Sequence, residues 1–195
     1  MPPKPALPSR LPSNRVTAGS RWMRIHARAR HALWFGPGSG RSPLHRFDDP
    51  NGQFHVCHLG TTIDACFAET FLRNPPVRIL SLEDLAVRSI ATLEVRRELR
   101  LVPIYGPSLA RMGATAELSS GSDYAVSQLW SRALWEHSDE PDGILYRSRH
   151  DDSALLVALY NRAKGGLAVV GDESLAEDSR QLAALLKKYG VGLTA

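Results

Sequence analysis

The segment FHVCHLGTTIDACFAETFL, residues 54–72, organises the rest of the chain because it predicts a short strand, a tight turn and a buried helix. The strand ends at Gly60, and the hydroxyl of Thr61 or Thr62 caps the helix that follows. The Pro-Pro pair at 75–76 ends that helix, since proline cannot extend it. Nearly every side of the helix is apolar or small, which is typical of a helix surrounded by protein.

Glu69 is the exception within this helix, because an ionised carboxylate is costly to bury without a partner. Two interpretations are open. In the first, Glu69 pairs with Arg73 one turn later, a favourable spacing of acid before base. In the second, Glu69 faces a pocket and is retained for chemistry. The sequence of the helix alone favours the ion pair. The polar residues elsewhere in the chain favour the interpretation in which Glu69 faces a pocket.

Length and composition predict one globular domain with a substantial core: the chain has 195 residues, of which 43% are hydrophobic and 23% charged. No apolar run approaches the roughly 20 residues that span a bilayer. The N-terminus lacks the apolar centre of a signal peptide. With only Cys57 and Cys66 as thiols, we expect a cytoplasmic protein whose cysteines are reduced.

The net charge of +4 conceals a strongly basic N-terminal segment. Residues 1–47 contain nine Lys or Arg and no Asp or Glu, whereas residues 48–195 contain fifteen basic and twenty acidic side chains. Such a segment can contact nucleic acid, a phosphorylated small molecule, an acidic protein partner or the protein's own acidic surface. Composition leaves these four alternatives open.

The remaining pattern predicts a compact single α+β domain of short mixed strands with flanking helices. Residues 1–20 are rich in Pro and Ser and predict a disordered or loosely docked arm, so that the folded domain comprises 21–195. A flexible connection or lid is expected at 35–42, and Pro103 moves its strand towards a sheet edge. The predicted strands are 22–26, 44–47, 77–80, 88–95, 99–104, 144–146, 154–160 and 167–170. The predicted helices are a single turn at 81–85, 122–137 with Ser122 as its cap, and a C-terminal helix at 173–189.

The polar residues that lie on apolar elements are candidates for a functional site. His55, Cys57, His58 and Cys66 match no zinc spacing, so no metal site is predicted. The remaining set suits a phosphate-bearing ligand whose chemistry develops positive charge, although each member alone has a structural explanation. Arginine binds pyrophosphate with paired hydrogen bonds, and a carboxylate stabilises an oxocarbenium-like centre. The candidates are Arg24, His26, Arg46, His58, Glu69 and Ser148.

Several short motifs, in this order and spacing, resemble the RES domain family over about residues 20–165. Arg24 lies in the first strand, Arg46 lies in HRF, and HLG begins eleven residues before Glu69 in DACFAE. SLEDL, the helix that begins near Tyr124 and DGILYRSR then follow in the family's order. The family is named for an Arg, a Glu and a Ser, which match Arg24 or Arg46, Glu69 and Ser148 by position.

The resemblance implies a fold similar to that of ADP-ribosyltransferase toxins and a role as the toxin of a toxin–antitoxin pair. Such toxins deplete NAD⁺ by cleaving the nicotinamide–ribose bond, through phosphorolysis or hydrolysis, and some transfer ADP-ribose to a protein. NAD⁺ is then the substrate and inorganic phosphate a potential co-substrate, without a metal. The expected partner is an Xre-like antitoxin, a homo-oligomer is compatible with apolar helix faces, and neither a membrane nor direct nucleic-acid contact is expected.

The same resemblance implies a role for each matched residue. Arg24 and Arg46 grip the pyrophosphate or an incoming phosphate, and Glu69 binds the nicotinamide ribose and stabilises its developing cation. Ser148 hydrogen-bonds the nicotinamide end or its ribose, and His58 stands where the family usually has tyrosine. Two alternative functions are carried forward: a basic module that binds nucleic acid or protein through the first 47 residues, and a family member that binds NAD⁺ or a partner without turnover.

Overall fold

The computed structural model of the protein describes residues 5–37, 41–74 and 76–195 and shows strands that alternate with short helices. The strands β1 to β10 are Asn14–Val16, Arg21–Ala27, Val56–Gly60, Ile79–Ser81, Arg88–Val95, Leu99–Pro103, Gly143–Arg147, Leu155–Tyr160, Leu167–Ser174 and Gly192–Thr194. The helices α1 to α6 are Ile63–Phe71, Leu82–Ala86, Pro107–Arg111, Glu117–Ser120, Tyr124–Trp135 and Ser179–Tyr189, and a 3₁₀ helix covers Asn161–Gly166.

Eight of the strands in the described residues form one mixed sheet, in the order β1-β6-β7-β8-β3-β2-β5-β9. Neighbouring strands are antiparallel, except that β6 and β7 are parallel. The continuous apolar strand β8 lies in the middle of the sheet, as its sequence predicts. The strands β4 and β10 form a separate parallel pair.

The segment that organises the sequence also organises the fold. Strand β3 pairs with β8 and runs into a turn at Gly60, after which the Thr62 side chain caps α1 by accepting a hydrogen bond from the Ala65 amide. Alternate residues of β3 and β8 contribute to two apolar clusters on opposite faces of the sheet. A third cluster packs Cys66, Phe67 and Ala68 of α1 against α2 and α6. The strand, the turn and the helix predicted from residues 54–72 are confirmed.

Residues 5–20, the described part of the N-terminal arm, are more ordered than their composition predicts. Residues 14–16 form the edge strand β1 against β6, so β6 is an inner strand, and the edge position predicted from Pro103 is wrong. Asp139 accepts hydrogen bonds from the Leu11 amide at 2.8 Å and the Arg10 guanidinium at 3.1 Å. A three-residue strand has no periodic pattern of its own, and its order comes from its partner strand.

Three further predictions are wrong. Asp123 rather than Ser122 caps the helix Tyr124–Trp135, because its carboxylate accepts the Ala125 amide at 2.9 Å. Residues 44–47 form a turn rather than a strand, because one carboxylate oxygen of Asp48 accepts hydrogen bonds from the amides of Leu44 and His45. The C-terminal helix begins at Ser179 rather than residue 173, because β9 continues to Ser174 alongside β5 and Asp178 caps the helix. The helix ends at Gly190 as predicted, with a positive φ of 62° that suits glycine.

Part of the predicted glycine-rich connection, residues 38–40, and the predicted helix-ending Pro75 lie outside the described residues. Within the described part of the chain, every helix is too short or too polar to cross a bilayer.

Candidate active site

A pocket of about 250 Å³ opens where two strands of the main sheet separate. In the described residues, β2 and β3 pair only through Met23 and Gly60, and beyond that point the strands diverge. Gly60 lets α1 approach the strand closely, since a Cβ at this position would lie 2.5 Å from the Cys66 sulfur. The polar and aromatic side chains in the lining are Arg24, Trp34, His45, Arg46, His58, Glu69, Thr70, Arg73, Ser119, Tyr124, Tyr146, Arg149 and His150.

The Glu69 carboxylate and the Ser148 hydroxyl form a hydrogen-bonded pair at this pocket. Ser148 is buried, and its Oγ donates to Glu69 Oε1 at 2.7 Å. Ser148 Oγ also accepts hydrogen bonds from the amides of His150 at 3.0 Å and Asp151 at 3.3 Å. Because these amides approach the hydroxyl's lone pairs, its single proton is directed to the carboxylate. Glu69 is therefore held in one orientation by a group 79 residues away in the sequence.

The ion pair between Glu69 and Arg73 that the helix sequence favoured does not form. Arg73 Nε donates to the backbone carbonyl of Glu69 at 2.7 Å instead of to its carboxylate. Among the described residues, the Glu69 carboxylate has no basic side chain within ion-pair distance, and it is the only acidic side chain in the pocket lining. The interpretation in which Glu69 faces a pocket is the one that the geometry supports.

Two arginines of the lining are fixed by hydrogen bonds to backbone carbonyls. Arg46 is buried, donates to the Gly121 carbonyl at 2.8 Å and stacks on Tyr124, with 4.6 Å from its guanidinium carbon to the ring centroid. Arg24 Nη1 lies 2.6 Å from the carbonyl of Ala32 and 3.0 Å from that of Trp34. Burial lowers the pKa of Arg46, although a guanidinium stays charged at neutral pH.

A pair of neutral histidines lies between these groups. His58 Nδ1 is 3.2 Å from the Tyr146 hydroxyl, and the His45 ring lies 5.3 Å from the His58 ring. Burial, together with the nearby charge of Arg24, holds the pKa of His58 well below its usual range. Burial also lowers the pKa of His45. His58 Nε2 is buried without a hydrogen-bond partner in the described part of the protein, so it is available to a ligand.

The structure brings five of the six candidate residues together and places the sixth elsewhere. Arg24, Arg46, His58 and Glu69 line the pocket, and Ser148 reaches it through Glu69. His26 is absent from the described lining, which corrects its grouping with the others. Its ring is occupied by the carbonyls of residues 27 and 30 and by the Asp172 carboxylate at 3.0 Å. Sequence patterns did not assign a site role to six further lining residues, which lie in loops or, for Tyr146, on an apolar strand: Trp34, His45, Arg73, Tyr146, Arg149 and His150.

The described residues contain no group of three or more His, Cys, Asp or Glu that could hold a metal ion. Cys57 and Cys66 are buried free thiols. Burial raises the pKa of Cys66 to about 12, and its sulfur donates to the Met23 carbonyl. Both thiols are therefore structural groups rather than nucleophiles.

The basic N-terminal segment distributes its charge between the pocket and the protein's own acidic surface. Arg10, Arg15 and Arg21 form ion pairs with Asp139, Glu98 and Glu94 at 3.1, 2.9 and 3.5 Å. Arg24 and Arg46 line the pocket. Exposed ion pairs stabilise the fold little, but they reduce the charge that a polyanion would meet.

Comparison with known proteins gives consistent results. The sequence profile of the RES domain matches residues 21–178. The probable toxin y4kH of Sinorhizobium fredii is 29% identical over 116 residues, which cover 60% of this chain and 88% of that protein. A chain in the crystal structure of the M. tuberculosis MbcT–MbcA toxin–antitoxin complex superposes with a TM-score of 0.67 at 18% identity, over 90% of this chain and 91% of that one. This likeness confirms the predicted α+β fold class.

Proposed function

The chain belongs to the RES domain family, and we propose that it is an enzyme that binds NAD⁺ and cleaves the bond between nicotinamide and ribose. The observation that carries the proposal is the Glu69 carboxylate, oriented by Ser148 in a pocket whose other charged side chains, among the described residues, are arginines.

The arginines and aromatic rings of the pocket suit the pyrophosphate and the bases of NAD⁺. Arg24, Arg46, Arg73 and Arg149 line it, and guanidinium groups bind pyrophosphate oxygens with strong, directional hydrogen bonds. Arg46 is already held by Gly121 and Tyr124, so little ordering is required when the anion binds. The rings of Trp34 and Tyr124 each already lie against an arginine, Arg30 and Arg46, so a base would pack on the opposite ring face.

The chemistry requires stabilisation of positive charge on the ribose. The leaving nicotinamide is already cationic in NAD⁺, so the bonding electrons leave with it and the ribose becomes an oxocarbenium-like cation. The Glu69 carboxylate, free of a basic partner in the described structure, stabilises that cation electrostatically. Attack by water, phosphate or a protein group on the ribose carbon then completes hydrolysis, phosphorolysis or ADP-ribosyl transfer.

The family and the two toxin relatives support a role as the toxin of a toxin–antitoxin pair, with an antitoxin protein as partner. Production of the chain in cells is then expected to stop growth and lower the NAD⁺ level, and an Xre-like antitoxin is expected to restore growth. The Glu69→Gln variant should have neither effect at equal protein levels.

The decisive experiment incubates the purified protein with NAD⁺, with and without inorganic phosphate, and separates the products by chromatography. We expect release of nicotinamide, with a loss of about 10³-fold or more in kcat for Glu69→Gln, because the charge that stabilises the cation is removed. Dependence on phosphate identifies the acceptor. Glu83→Gln is the matched control, since Glu83 is exposed on α2 and lies outside the pocket lining. Unchanged turnover in Glu69→Gln would overturn the assignment, and NAD⁺ binding without any turnover would identify a member that only binds.

A further inference from the structure

Tyr189, near the end of α6, contacts both segments that carry the Glu69–Ser148 pair, although it lies beyond the residues that the family profile matches. Its hydroxyl is 2.7 Å from Asp151 Oδ2, in the loop that follows Ser148. Its ring stacks on Phe67 of α1, with 5.6 Å between centroids and 12° between planes, two residues before Glu69.

The hydrogen bond between Tyr189 and Asp151 has a defined direction. Burial and the Asp151 carboxylate raise the pKa of Tyr189, so its hydroxyl keeps its proton and donates. Hydrogen bonds from Ser153 and Tyr189 lower the pKa of Asp151, which therefore accepts as a carboxylate. The backbone carbonyl of Asp64, at 3.4 Å, is too distant to compete for the single proton.

This contact is connected directly to the site. The amides of His150 and Asp151 donate to Ser148 Oγ and thereby set the direction in which its proton points to Glu69. A second tie, Lys188 Nζ to Asp64 Oδ1 at 2.8 Å, joins α6 to the first turn of α1. Helix α6 thus contacts the helix that carries the carboxylate and the loop that carries the hydroxyl.

We propose that Tyr189 and Asp151 form a brace that holds Ser148 against Glu69, which makes both of them positioning residues for the reaction. The brace rests on the proposed function, since it acts through the pair assigned to bond cleavage. Both residues lie outside the described pocket lining, so they act on the reaction through the geometry of Ser148.

The test is the Tyr189→Phe variant, which keeps the ring on Phe67 and removes only the hydroxyl. We expect kcat for nicotinamide release to fall about tenfold and KM for NAD⁺ to stay within twofold, because a small misplacement of an orienting group affects the transition state more than binding. Tyr105→Phe is the matched control, since it removes a hydroxyl from a ring outside the described pocket lining, and its kcat should equal that of the wild type.

The Ser148→Ala background separates positioning from general destabilisation. If the brace acts through Ser148, Tyr189→Phe causes no further loss of kcat once the serine hydroxyl is absent. An equal loss in both backgrounds, or wild-type kcat in the single variant, overturns the proposal.

Amide hydrogen exchange distinguishes failure of the brace from failure of the proposed function. The His150 and Asp151 amides should exchange faster in Tyr189→Phe than in the wild type, whether or not NAD⁺ is the substrate. If the wild type does not turn over NAD⁺ but exchange accelerates, the brace stands and the proposed reaction falls. Unchanged exchange at these amides overturns the brace itself.

Discussion

The two walls of the pocket are built in different ways. One wall, called here the regular wall, consists of β2, β3, α1 and the end of β7, and it carries Arg24, His58 and Glu69 with Ser148 just beyond the strand. The other, called the loop wall, consists of residues 41–50 together with Trp34, and it carries His45 and Arg46.

Different interactions maintain these walls. Backbone ladders and the capped helix fix the regular wall. Side chains that bond to backbone groups fix the loop wall: Asp48 accepts the Leu44 and His45 amides, and Gln128 donates to the His45 carbonyl at 3.0 Å. Glu69, proposed to act on the reacting bond, thus lies on a rigid element, whereas Arg46, one of the arginines proposed to bind the ligand, lies on a turn that side chains hold in place. Damage to each wall should therefore have a different kinetic signature.

The largest effect is expected from Gly60→Ala, which disrupts the junction of β3 and α1 in the regular wall. A Cβ at residue 60 would lie 2.5 Å from Cys66 Sγ and 2.9 Å from the Thr62 carbonyl oxygen. The first turn of α1 has to shift, and we expect the free energy of unfolding, measured by urea denaturation, to fall by about 3 kcal/mol.

Gly165→Ala is the control for this substitution, because a Cβ at Gly165 meets no described atom within 4 Å. Its free energy of unfolding should stay within about 1 kcal/mol of the wild type. Equal stability of the two variants would show that α1 can move away from β3, and the regular wall would not be rigid.

A smaller effect, confined to the other wall, is expected from Asp48→Ala. The buried carboxylate is removed, and the Leu44 and His45 amides lose their acceptor, at a cost of about 2 kcal/mol in the free energy of unfolding. Because the turn also presents Arg46, we expect KM for NAD⁺ to rise about tenfold, the loss of one charge-assisted contact. The kcat should change little, since Glu69 and Ser148 lie on the regular wall.

Asp49→Ala provides a matched control within the same segment. Asp49 is equally buried, but its carboxylate accepts the amides of Asn51 and Gln53, which are outside the described pocket lining. We expect a similar loss of stability with an unchanged KM. If both variants raise KM for NAD⁺ by the same factor, the effect on NAD⁺ binding does not come from the local turn that Asp48 forms.

The same division explains how much of the molecule could be predicted from sequence. The β3–α1 segment was predictable because its apolar pattern, its threonine cap and its glycine turn are local signals. The turn at residues 44–47 was mistaken for a strand because only Asp48 supports it locally and its other supports are remote: Gln128 and Ser131 bond to carbonyls 83 and 84 residues earlier in the chain. A local pattern carries no trace of such contacts.

The site was only partly predictable, for a related reason. The family resemblance identified Glu69 and Ser148 by position, and the structure adds the 2.7 Å contact between them. His26 was grouped with them because it is a polar residue on the same apolar strand as Arg24, but that pattern does not reveal that its Nδ1 lies 3.0 and 3.1 Å from the carbonyls of residues 27 and 30. The brace from Tyr189 to Asp151 joins segments that sequence analysis treats as unrelated.

The smallest effect concerns the histidines of the two walls and the dependence of stability on pH. Burial lowers the pKa of both His58 and His45, so the folded protein keeps these rings neutral where the unfolded chain binds protons. The pKa of histidine in the unfolded chain is about 6.5. The free energy of unfolding should therefore fall as the pH drops below about 6.5, by up to about 1.4 kcal/mol per pH unit for one histidine.

The two rings should contribute unequally to this fall. Burial and neighbouring cationic groups hold the pKa of His58, on β3, well below its usual range. Burial also lowers the pKa of His45, but the negative charge of Asp48 partly offsets this effect. Urea unfolding at pH 7.5, 6.5 and 5.5 should show a weaker pH dependence for His58→Gln than for His45→Gln, with the wild type steepest. If the pH dependence of unfolding is instead weaker in His45→Gln than in His58→Gln, the histidine of the loop wall is the more strongly desolvated one. A turn held by a few side chains would then exclude water better than a strand does.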